Sequence, residues 1–392
     1  MNAPSDASCN QPGPSPAVVP LRQAVSNLPA YVPGGRPAGD GVAKLSSNEM
    51  PFPVQEQVLA ALTQAAAGAS RYPEMTASTL AEAIAQRHGL TPGQVVVGNG
   101  SVALIQHLLH TLCQEGDQVV LPWRSFEAYP ICVAVAGAQA VKVPLTARHR
   151  HDVPAMLAAV TPSTRVVMAC SPNNPTGPAV SGGELRALLE GVPREVVVML
   201  DEAYLDFVTD PAVEDGLDHL EAHPNLVVCR TFSKAHALAG MRVGYLLCEP
   251  GLAAAVRSVS TPFGVSLPAQ AAALAALAPE SLAETARRVR AVVAERARVV
   301  AGAREAGWPV PDAQGNFFWL PVGERAVELA AGFQEAGLLV RPFAGEGVRV
   351  SIGTPAENER VLTLLRRLPH PTSRPVSRET GTYGSRDRYA CG

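Results

Sequence analysis

Short apolar runs alternate with segments of helical periodicity through most of the chain, and this alternation restricts the possible folds more than any other feature. Between residues 94 and 248 the runs are QVVVG, QVVLP, AVKVPL, RVVMAC, EVVVML, NLVVCR and VGYLLC. Intervening segments such as VALIQHLLHTLC place apolar residues at i, i+3 and i+4. Strands that are apolar on both faces and separated by helices indicate an α/β fold, with a mostly parallel seven-stranded sheet covered by helices.

The pattern changes after the last of these runs. Residues 267–305 are typical of a long connecting helix that is broken near Pro279, and the short strands GNFFWL, GLLVRP and GVRVSIG follow. We therefore predict a large domain at 46–266 and a smaller α+β C-terminal domain at 306–368, closed by the helix PAENERVLTLLRRL. Residues 21–45 are predicted to be an N-terminal arm that contacts the small domain or a second subunit, and 1–20 and 369–392 to be disordered tails.

Charge and cysteine content exclude several classes of function. The 32 basic and 35 acidic residues give a net charge of -3 without a basic stripe, so nucleic acid is not expected as a partner. The seven cysteines are an odd number without a C-x-x-C pair, and several lie inside apolar runs, which indicates a reducing compartment. The chain shows neither a signal peptide nor an apolar stretch of membrane-spanning length, so we predict a cytoplasmic protein without membrane contact.

Lys234, in the segment RTFSKAHALAGMRVGY, is one of only three lysines among the 32 residues that are Lys or Arg. Either residue serves as a surface cation, but only lysine can lose its proton and attack a carbonyl. A Schiff base is the usual reason for a protein to need such an amine. The alternative is that this lysine is a chance survivor of compositional drift.

Polar residues directly follow several of the predicted strands, where ligands bind in sheets of this kind. The turn Gly98–Ser101 precedes a helix and suits a phosphate, although an ordinary tight turn would look the same. Asp201 follows the run EVVVML and is interpreted as partly desolvated; it would pair with an arginine, cap a helix or bind a metal, and the lack of a histidine cluster makes metal the least favoured. The turn Asn173–Pro175 either directs its amides at a ligand or is a turn only.

An amine nucleophile, a buried carboxylate, an amide-bearing turn and a phosphate-type turn are the groups that pyridoxal 5′-phosphate requires. Its aldehyde takes the lysine, its pyridine nitrogen needs an acidic partner, and its phosphate needs an anion site. A nicotinamide-dependent dehydrogenase is the competing hypothesis, but the sequence has no G-x-G-x-x-G near the first strand.

The sequence resembles the fold-type I pyridoxal-phosphate aminotransferases, in the branch of the histidinol-phosphate and aromatic amino acid enzymes. The motifs LSSNE, RYPE, GNGS, SPNNPTG, DEAY, TFSKAHALAGMRVGY and VRVSIGT occur in the order typical of that family, between about Leu28 and Leu368. The resemblance implies an aminotransferase that forms a homodimer with shared sites and uses amino acid and 2-oxo acid substrates. A binding protein that has lost catalysis, and a decarboxylase or lyase, are the alternatives.

The resemblance also implies a role for each matching residue. Lys234 is the Schiff-base lysine and proton carrier, Asp201 pairs with the pyridine nitrogen, and Tyr204 hydrogen-bonds the cofactor's phenolic oxygen, unless it is only a packed tyrosine. His236 stands where an aromatic or similarly bulky side chain is expected. The resemblance assigns the remaining cofactor contacts to Asn174, Ser233, Arg242, the backbone of Gly100, Ser101 and Val102, the ring of Phe126 (otherwise a core residue) and Tyr72 from the neighbouring subunit, and substrate binding to Tyr31, Asn174, Arg341 and Arg349.

The substrate is where that family divides. The segment PWRSFEAYP resembles the aromatic amino acid branch more than the histidine-pathway branch. The loop PFAGEGV between Arg341 and Arg349 is short, which leaves little provision for a phosphate-bearing substrate. We therefore expect phenylalanine, tyrosine or tryptophan to exchange its amino group with 2-oxoglutarate, with histidinol phosphate as the alternative substrate.

Overall fold

The computed structural model describes residues 19–20, 22–26, 28 and 41–369. Most of the two predicted tails therefore lies outside the described residues, as does most of the predicted arm. Its last part is described, and there residues 43–44 form a short strand that pairs in parallel with residues 338–339 of the C-terminal region.

Twelve strands are formed by the described residues, and each of the seven apolar runs identified in the sequence forms one of them. In chain order they are β1 (Ala43–Lys44), β2 (Val95–Gly98), β3 (Gln118–Trp123), β4 (Gln139–Pro144), β5 (Thr164–Cys170), β6 (Val197–Asp201), β7 (Leu226–Thr231), β8 (Gly244–Leu247), β9 (Phe317–Leu320), β10 (Leu338–Leu339), β11 (Arg341–Phe343) and β12 (Gly347–Ser351).

Strands β2 to β8 form one seven-stranded sheet in the order β2-β8-β7-β6-β5-β3-β4. Its pairings are parallel except for those of β8, which runs antiparallel to both β7 and β2. A parallel return from β7 to β8 would have to carry the chain back to the opposite edge of the sheet, usually through a helix. Residues 232–243 instead return directly at the carboxyl edge of the sheet and bring Lys234 there. The predicted mostly parallel sheet is confirmed.

Helices of the described residues cover the sheet and build the C-terminal region. In chain order they are α1 (Gln23–Ser26), α2 (Glu56–Ala66), α3 (Ser78–His88), α4 (Ser101–Leu112), α5 (Ala128–Val135), α6 (Val153–Ala158), α7 (Gly182–Gly191), α8 (Pro250–Val259), α9 (Leu267–Ala276), α10 (Pro279–Glu305), α11 (Ala326–Glu335) and α12 (Pro355–Arg367), with short 3-10 helices at Pro92–Gln94, Leu205–Phe207, Gly216–His219, Ala239–Met241 and Gly323–Arg325.

Separate apolar cores form on the two faces of the large sheet. Alternate residues of a central strand point to opposite faces, so Val198 and Leu200 of β6 pack into one core and Val197 and Met199 into the other. The first core also takes up α9, the first half of the predicted connecting helix. A third core joins α10, α11 and α12 to the antiparallel sheet β11-β12-β9.

The core of the C-terminal α+β region also takes in Tyr204, Phe207 and Ala235 from the part of the chain that forms the large sheet. Two sequence signals set its last helix: Thr354 accepts a hydrogen bond from the backbone N–H of Glu357, and the Glu357 carboxylate accepts from Thr354 in return. Among the described residues, no helix is both long enough and apolar enough to cross a membrane.

Candidate active site

A cavity of about 240 Å³ opens at the carboxyl edge of the large sheet, between that edge and the C-terminal antiparallel sheet. On the side of the large sheet, the cavity is lined by the last residues of β5, β6 and β7, which are Cys170, Asp201 and Thr231. Of the residues predicted for the site, the structure brings eleven to this cavity: Ser101, Val102, Phe126, Asn174, Asp201, Tyr204, Ser233, Lys234, Arg242, Arg341 and Arg349.

Lys234 lies in the return between β7 and β8 and points its amine into the cavity. Its Nζ donates a hydrogen bond of 3.0 Å to the backbone carbonyl of Ser47. Desolvation, reinforced by the positive charge of Arg349 and only partly opposed by Glu49, lowers the pKa of Lys234 to about 7. An amine with this pKa is about half deprotonated near neutral pH, and the deprotonated form is the nucleophile.

Asp201 ends β6 and is buried. One carboxylate oxygen accepts a 2.7 Å hydrogen bond from the Tyr129 hydroxyl, and the other accepts from the backbone N–H of Ala203 at 3.1 Å. Desolvation raises the pKa of Asp201, while the bond from Tyr129 lowers it. The described residues contain no group of three or more His, Cys, Asp or Glu side chains that could hold a metal ion.

The two adjacent asparagines of SPNNPTG have different roles. Asn173 holds the turn together, since its amide donates to the hydroxyl of Thr176 at 2.7 Å and its carbonyl accepts from Ser125 at 2.7 Å. Asn174 lines the cavity, where its side-chain carbonyl accepts a 2.6 Å hydrogen bond from Arg349. The turn is therefore present, and the neighbouring Asn174 faces the cavity; that its amide binds a ligand stays a prediction.

Tyr204 also lines the cavity and is held on two sides. Its hydroxyl accepts a hydrogen bond of 2.9 Å from the amide of Asn48. Its ring packs edge-on against Phe317 with the centroids 5.0 Å apart. The tyrosine is therefore packed and faces the cavity at the same time, and burial raises the pKa of its hydroxyl.

The predicted phosphate turn forms a concave surface at the start of α4. Gly100 has a φ of 81°, a left-handed conformation that favours glycine, and a Cβ at this position would collide with the guanidinium of Arg242. Arg242 donates to the hydroxyl of Ser233 at 3.2 Å. A guanidinium, a hydroxyl and the first N–H groups of a helix that begins at Ser101 thus lie together, which is the arrangement that binds phosphate.

Arg341 and Arg349 face each other directly across the antiparallel pair β11–β12. Arg349 is buried and donates to the carbonyl of Ser46 in addition to Asn174. Arg341 donates to a carboxylate oxygen of Glu127 at 2.8 Å. Two guanidinium groups on one wall of the cavity can each bind an anionic group, and that of Arg341 is already paired with Glu127.

The three aromatic residues that were predicted for the cofactor and substrate site, other than Tyr204, differ in where they lie relative to the cavity. Phe126 lines the cavity and packs edge-on against Tyr129, with the ring centroids 5.5 Å apart. Tyr72 is 81% exposed on the outer surface, away from the cavity of its own chain, and its ring stacks on Phe263 at 4.7 Å. Tyr31 lies outside the described residues.

His236 does not line the Lys234 cavity. It borders a separate cavity of about 50 Å³ together with Glu202 and Arg230, and its ring packs against Phe232 with the centroids 5.0 Å apart. The imidazole thus packs as a ring against Phe232.

Several residues of the site were not identified individually from the sequence. Ser46, Ser47 and Asn48 supply the partners of Arg349, Lys234 and Tyr204. A signal existed, because these residues form the polar motif LSSNE directly after the short strand β1. A second group of residues had no such signal, because its members lie in or directly before ordinary helix and strand segments: Glu127, Tyr129 and Phe343.

Comparison with known proteins identifies the class. A profile of the family "Aminotransferase class I and II" matches residues 40–365. The aromatic amino acid aminotransferase of Streptomyces avermitilis is 46% identical over 349 residues, covering 88% of this chain and 97% of that protein. The enzyme of the same name from Thermobifida fusca is 48% identical over 351 residues, covering 89% and 97%.

Among solved structures, the histidinol-phosphate aminotransferase from Sinorhizobium meliloti in complex with pyridoxal 5′-phosphate superimposes with a TM-score of 0.80 at 27% identity, covering 89% of this chain and 97% of that one. The chain therefore belongs to the aminotransferase class I and II family. It is a transaminase of a pyridoxal-phosphate-dependent family with the fold predicted above.

The cavity has the groups that this cofactor needs. Lys234 offers an amine with a pKa of about 7, and Asp201 offers a buried carboxylate. The surface at Gly100 and Arg242 suits the phosphate, and the hydroxyl of Ser46, buried at the cavity, makes no hydrogen bond within the described residues. The residues present therefore fit pyridoxal 5′-phosphate.

Proposed function

We propose that this protein transfers the amino group of an aromatic amino acid (phenylalanine, tyrosine or tryptophan) to 2-oxoglutarate. The observation that carries the proposal is the low-pKa amine of Lys234 in a cavity that also presents the guanidinium of Arg349. Further support comes from relatives named aromatic amino acid aminotransferase that are 46–48% identical over nearly the whole described chain.

In the proposed roles, Lys234 holds the cofactor covalently and then carries a proton on Nζ during the reaction. The bound cofactor supplies an electron sink for the carbon that bears the amino group. Asp201 keeps the pyridine nitrogen protonated, and Tyr129 holds that carboxylate in place by its 2.7 Å hydrogen bond. The other proposed cofactor contacts are Asn174 and Tyr204 at the phenolic oxygen, Phe126 on the ring, and Ser233, Arg242, Gly100, Ser101 and Val102 at the phosphate.

Arg349 is proposed to bind the carboxylate of the substrate. Its guanidinium fork matches a carboxylate in shape and charge, and the hydrogen bond to Asn174 fixes its orientation. Phe343 and Phe126 also line the cavity and offer apolar surface to an aromatic side chain. Arg341 lies opposite Arg349 on the neighbouring strand β11 and is proposed as the second cation for substrates.

The competing substrate is histidinol phosphate, the substrate named for the Sinorhizobium meliloti structure. The deciding experiment compares kcat/KM for phenylalanine or tyrosine with that for histidinol phosphate, each with 2-oxoglutarate as acceptor. We expect the aromatic amino acids to be preferred. A preference for histidinol phosphate of more than about a hundredfold, about 2.7 kcal/mol of transition-state binding, would reject the aromatic assignment.

We also propose a cytoplasmic homodimer with shared active sites. Tyr72, Met75 and Phe263 expose large apolar side chains, Met75 also lines a surface cavity of about 550 Å³, and Tyr72 is proposed to reach the phosphate site of the neighbouring subunit. Tyr31 is proposed to approach the substrate from that subunit as well. The cytoplasmic location is proposed from the sequence, whose seven cysteines include no C-x-x-C pair and lie in several cases inside apolar runs.

A further inference from the structure

Two ion pairs connect the segment after β3 to the hairpin β11–β12 of the C-terminal region. Arg124 binds Glu346 through two of its nitrogens, one of them at 2.8 Å. Arg341 binds Glu127 at 2.8 Å. Both pairs cross between the same two segments, but they differ in their position relative to the cavity.

Only the second of these pairs borders the cavity. Arg341 and Glu127 both line it, together with Phe343, whose ring centroid lies 5.7 Å from the guanidinium carbon of Arg341. Arg124 and Glu346 lie outside the cavity wall. A change in the Arg341–Glu127 pair is therefore felt directly by a bound substrate, whereas the Arg124–Glu346 pair makes no direct contact with the cavity and adjoins it through Phe343, whose ring centroid lies 5.4 Å from the guanidinium carbon of Arg124.

The two partners of the cavity pair differ in exposure. The side chain of Arg341 is 9% exposed, and that of Glu127 is 30% exposed. A carboxylate with this exposure can rotate towards the solvent and recover its hydration. The buried guanidinium would lose its packing contacts if it moved away. Arg341 is thus the fixed member of the pair and Glu127 the exchangeable one.

We propose that Glu127 occupies Arg341 in place of a substrate carboxylate and leaves when a dicarboxylate such as glutamate or 2-oxoglutarate binds. This inference rests on the proposed function, in which one cavity accepts both an aromatic and a dicarboxylic substrate. The first carboxylate of either substrate binds Arg349. The second carboxylate of a dicarboxylate takes the position of Glu127, so the number of ion pairs at Arg341 stays the same.

An aromatic substrate leaves the pair intact. Its ring packs along Phe343, next to an Arg341 whose charge Glu127 already balances. Without Glu127, the ring would be buried beside an unbalanced guanidinium, which is unfavourable because an unpaired buried charge lacks both water and a counter-ion. Glu127 is therefore a specificity-determining residue that favours aromatic over dicarboxylic side chains.

The test uses two non-reacting probes and the cofactor-loaded protein. Glutarate has two carboxylates, and 3-phenylpropanoate has one carboxylate and a phenyl ring. Their dissociation constants, measured by titration calorimetry, need no turnover. We expect Glu127→Gln to lower the dissociation constant of glutarate, relative to that of 3-phenylpropanoate, by about tenfold or more, because the neutral amide competes poorly for Arg341. Arg341→Gln should raise the dissociation constant of glutarate, relative to that of 3-phenylpropanoate, by at least about tenfold.

Glu346→Gln is the matched control, because it breaks the ion pair between the same segments outside the cavity. This variant should leave the ratio of the two dissociation constants unchanged. An equal shift in Glu346→Gln and Glu127→Gln, or an unchanged ratio in Glu127→Gln, would overturn the inference. If the ratio shifts as expected while phenylalanine is not turned over, the exchange at Arg341 stands and only the aromatic function fails.

Discussion

The amine of Lys234 and the backbone carbonyl of Ser47 are joined by a hydrogen bond of 3.0 Å, although the two residues lie 187 positions apart in the chain. The bond brings the motif LSSNE over the carboxyl edge of the large sheet. Since a neutral amine still donates hydrogen bonds, Ser47 can orient Lys234 without restoring its charge. The hydrogen bond therefore fixes the position of this amine, and desolvation separately lowers its pKa.

Replacement of Lys234 by arginine should abolish transamination and leave the fold intact. Arginine keeps the positive charge but cannot form a covalent bond with the cofactor's aldehyde. Turnover is measured with phenylalanine and 2-oxoglutarate, and folding by circular dichroism and Tm. Borohydride reduction followed by mass spectrometry should attach the cofactor's mass to Lys234 in the parent protein and to neither remaining lysine in the variant. Activity like that of the parent protein would show that Lys234 is not the essential amine.

Asp201→Asn should lower kcat by several orders of magnitude with little loss of stability. The amide cannot hold a proton on the pyridine nitrogen, whereas removing a desolvated carboxylate relieves the cost of burying its charge. Tyr129→Phe is the comparison variant, since it removes the 2.7 Å hydrogen bond but keeps the carboxylate; its loss of kcat should be much smaller. A fall of less than about tenfold in Asp201→Asn, about 1.4 kcal/mol of barrier, would contradict the pairing.

In the cofactor-free protein, Lys234 should react with an acylating reagent with a pH midpoint near 7, because desolvation and Arg349 lower its pKa to about that value. Arg349→Gln removes a positive charge and should move the midpoint to higher pH. The extent of modification is followed peptide by peptide with mass spectrometry. A midpoint near the ordinary lysine value of about 10.4 would mean that the amine is not desolvated.

Subunits that carry Tyr72→Ala should complement subunits that carry Lys234→Ala. In the mixed dimer, one site combines an intact Lys234 with an intact Tyr72 from the other subunit. Random exchange should therefore restore up to about a quarter of parental activity, because about half of the dimers are mixed and each has one complete site. Native mass spectrometry verifies that mixed dimers have formed. Mixed dimers without restored activity would contradict a contribution of Tyr72 across the interface.

Local patterns in the sequence were sufficient to predict the large sheet and its edge. Each apolar run forms a strand because a run that is apolar on both faces is buried only between helices, and Asp201 lies at the end of β6 as its position after the run EVVVML requires. The scarcity of lysine was sufficient to select Lys234 as the candidate amine nucleophile. These features depend on residues that are close together in the chain.

Contacts between distant segments needed the tertiary structure. The donation from Tyr129 to Asp201 and the pairing of Arg341 with Glu127 join residues 72 and 214 positions apart, and neither has a local sequence signal. The same holds for the pKa of Lys234, since desolvation depends on everything that packs around the amine. Local sequence patterns specify the elements and the chemical groups at their ends, while the packing of the three cores decides which groups meet and how strongly water is excluded from them.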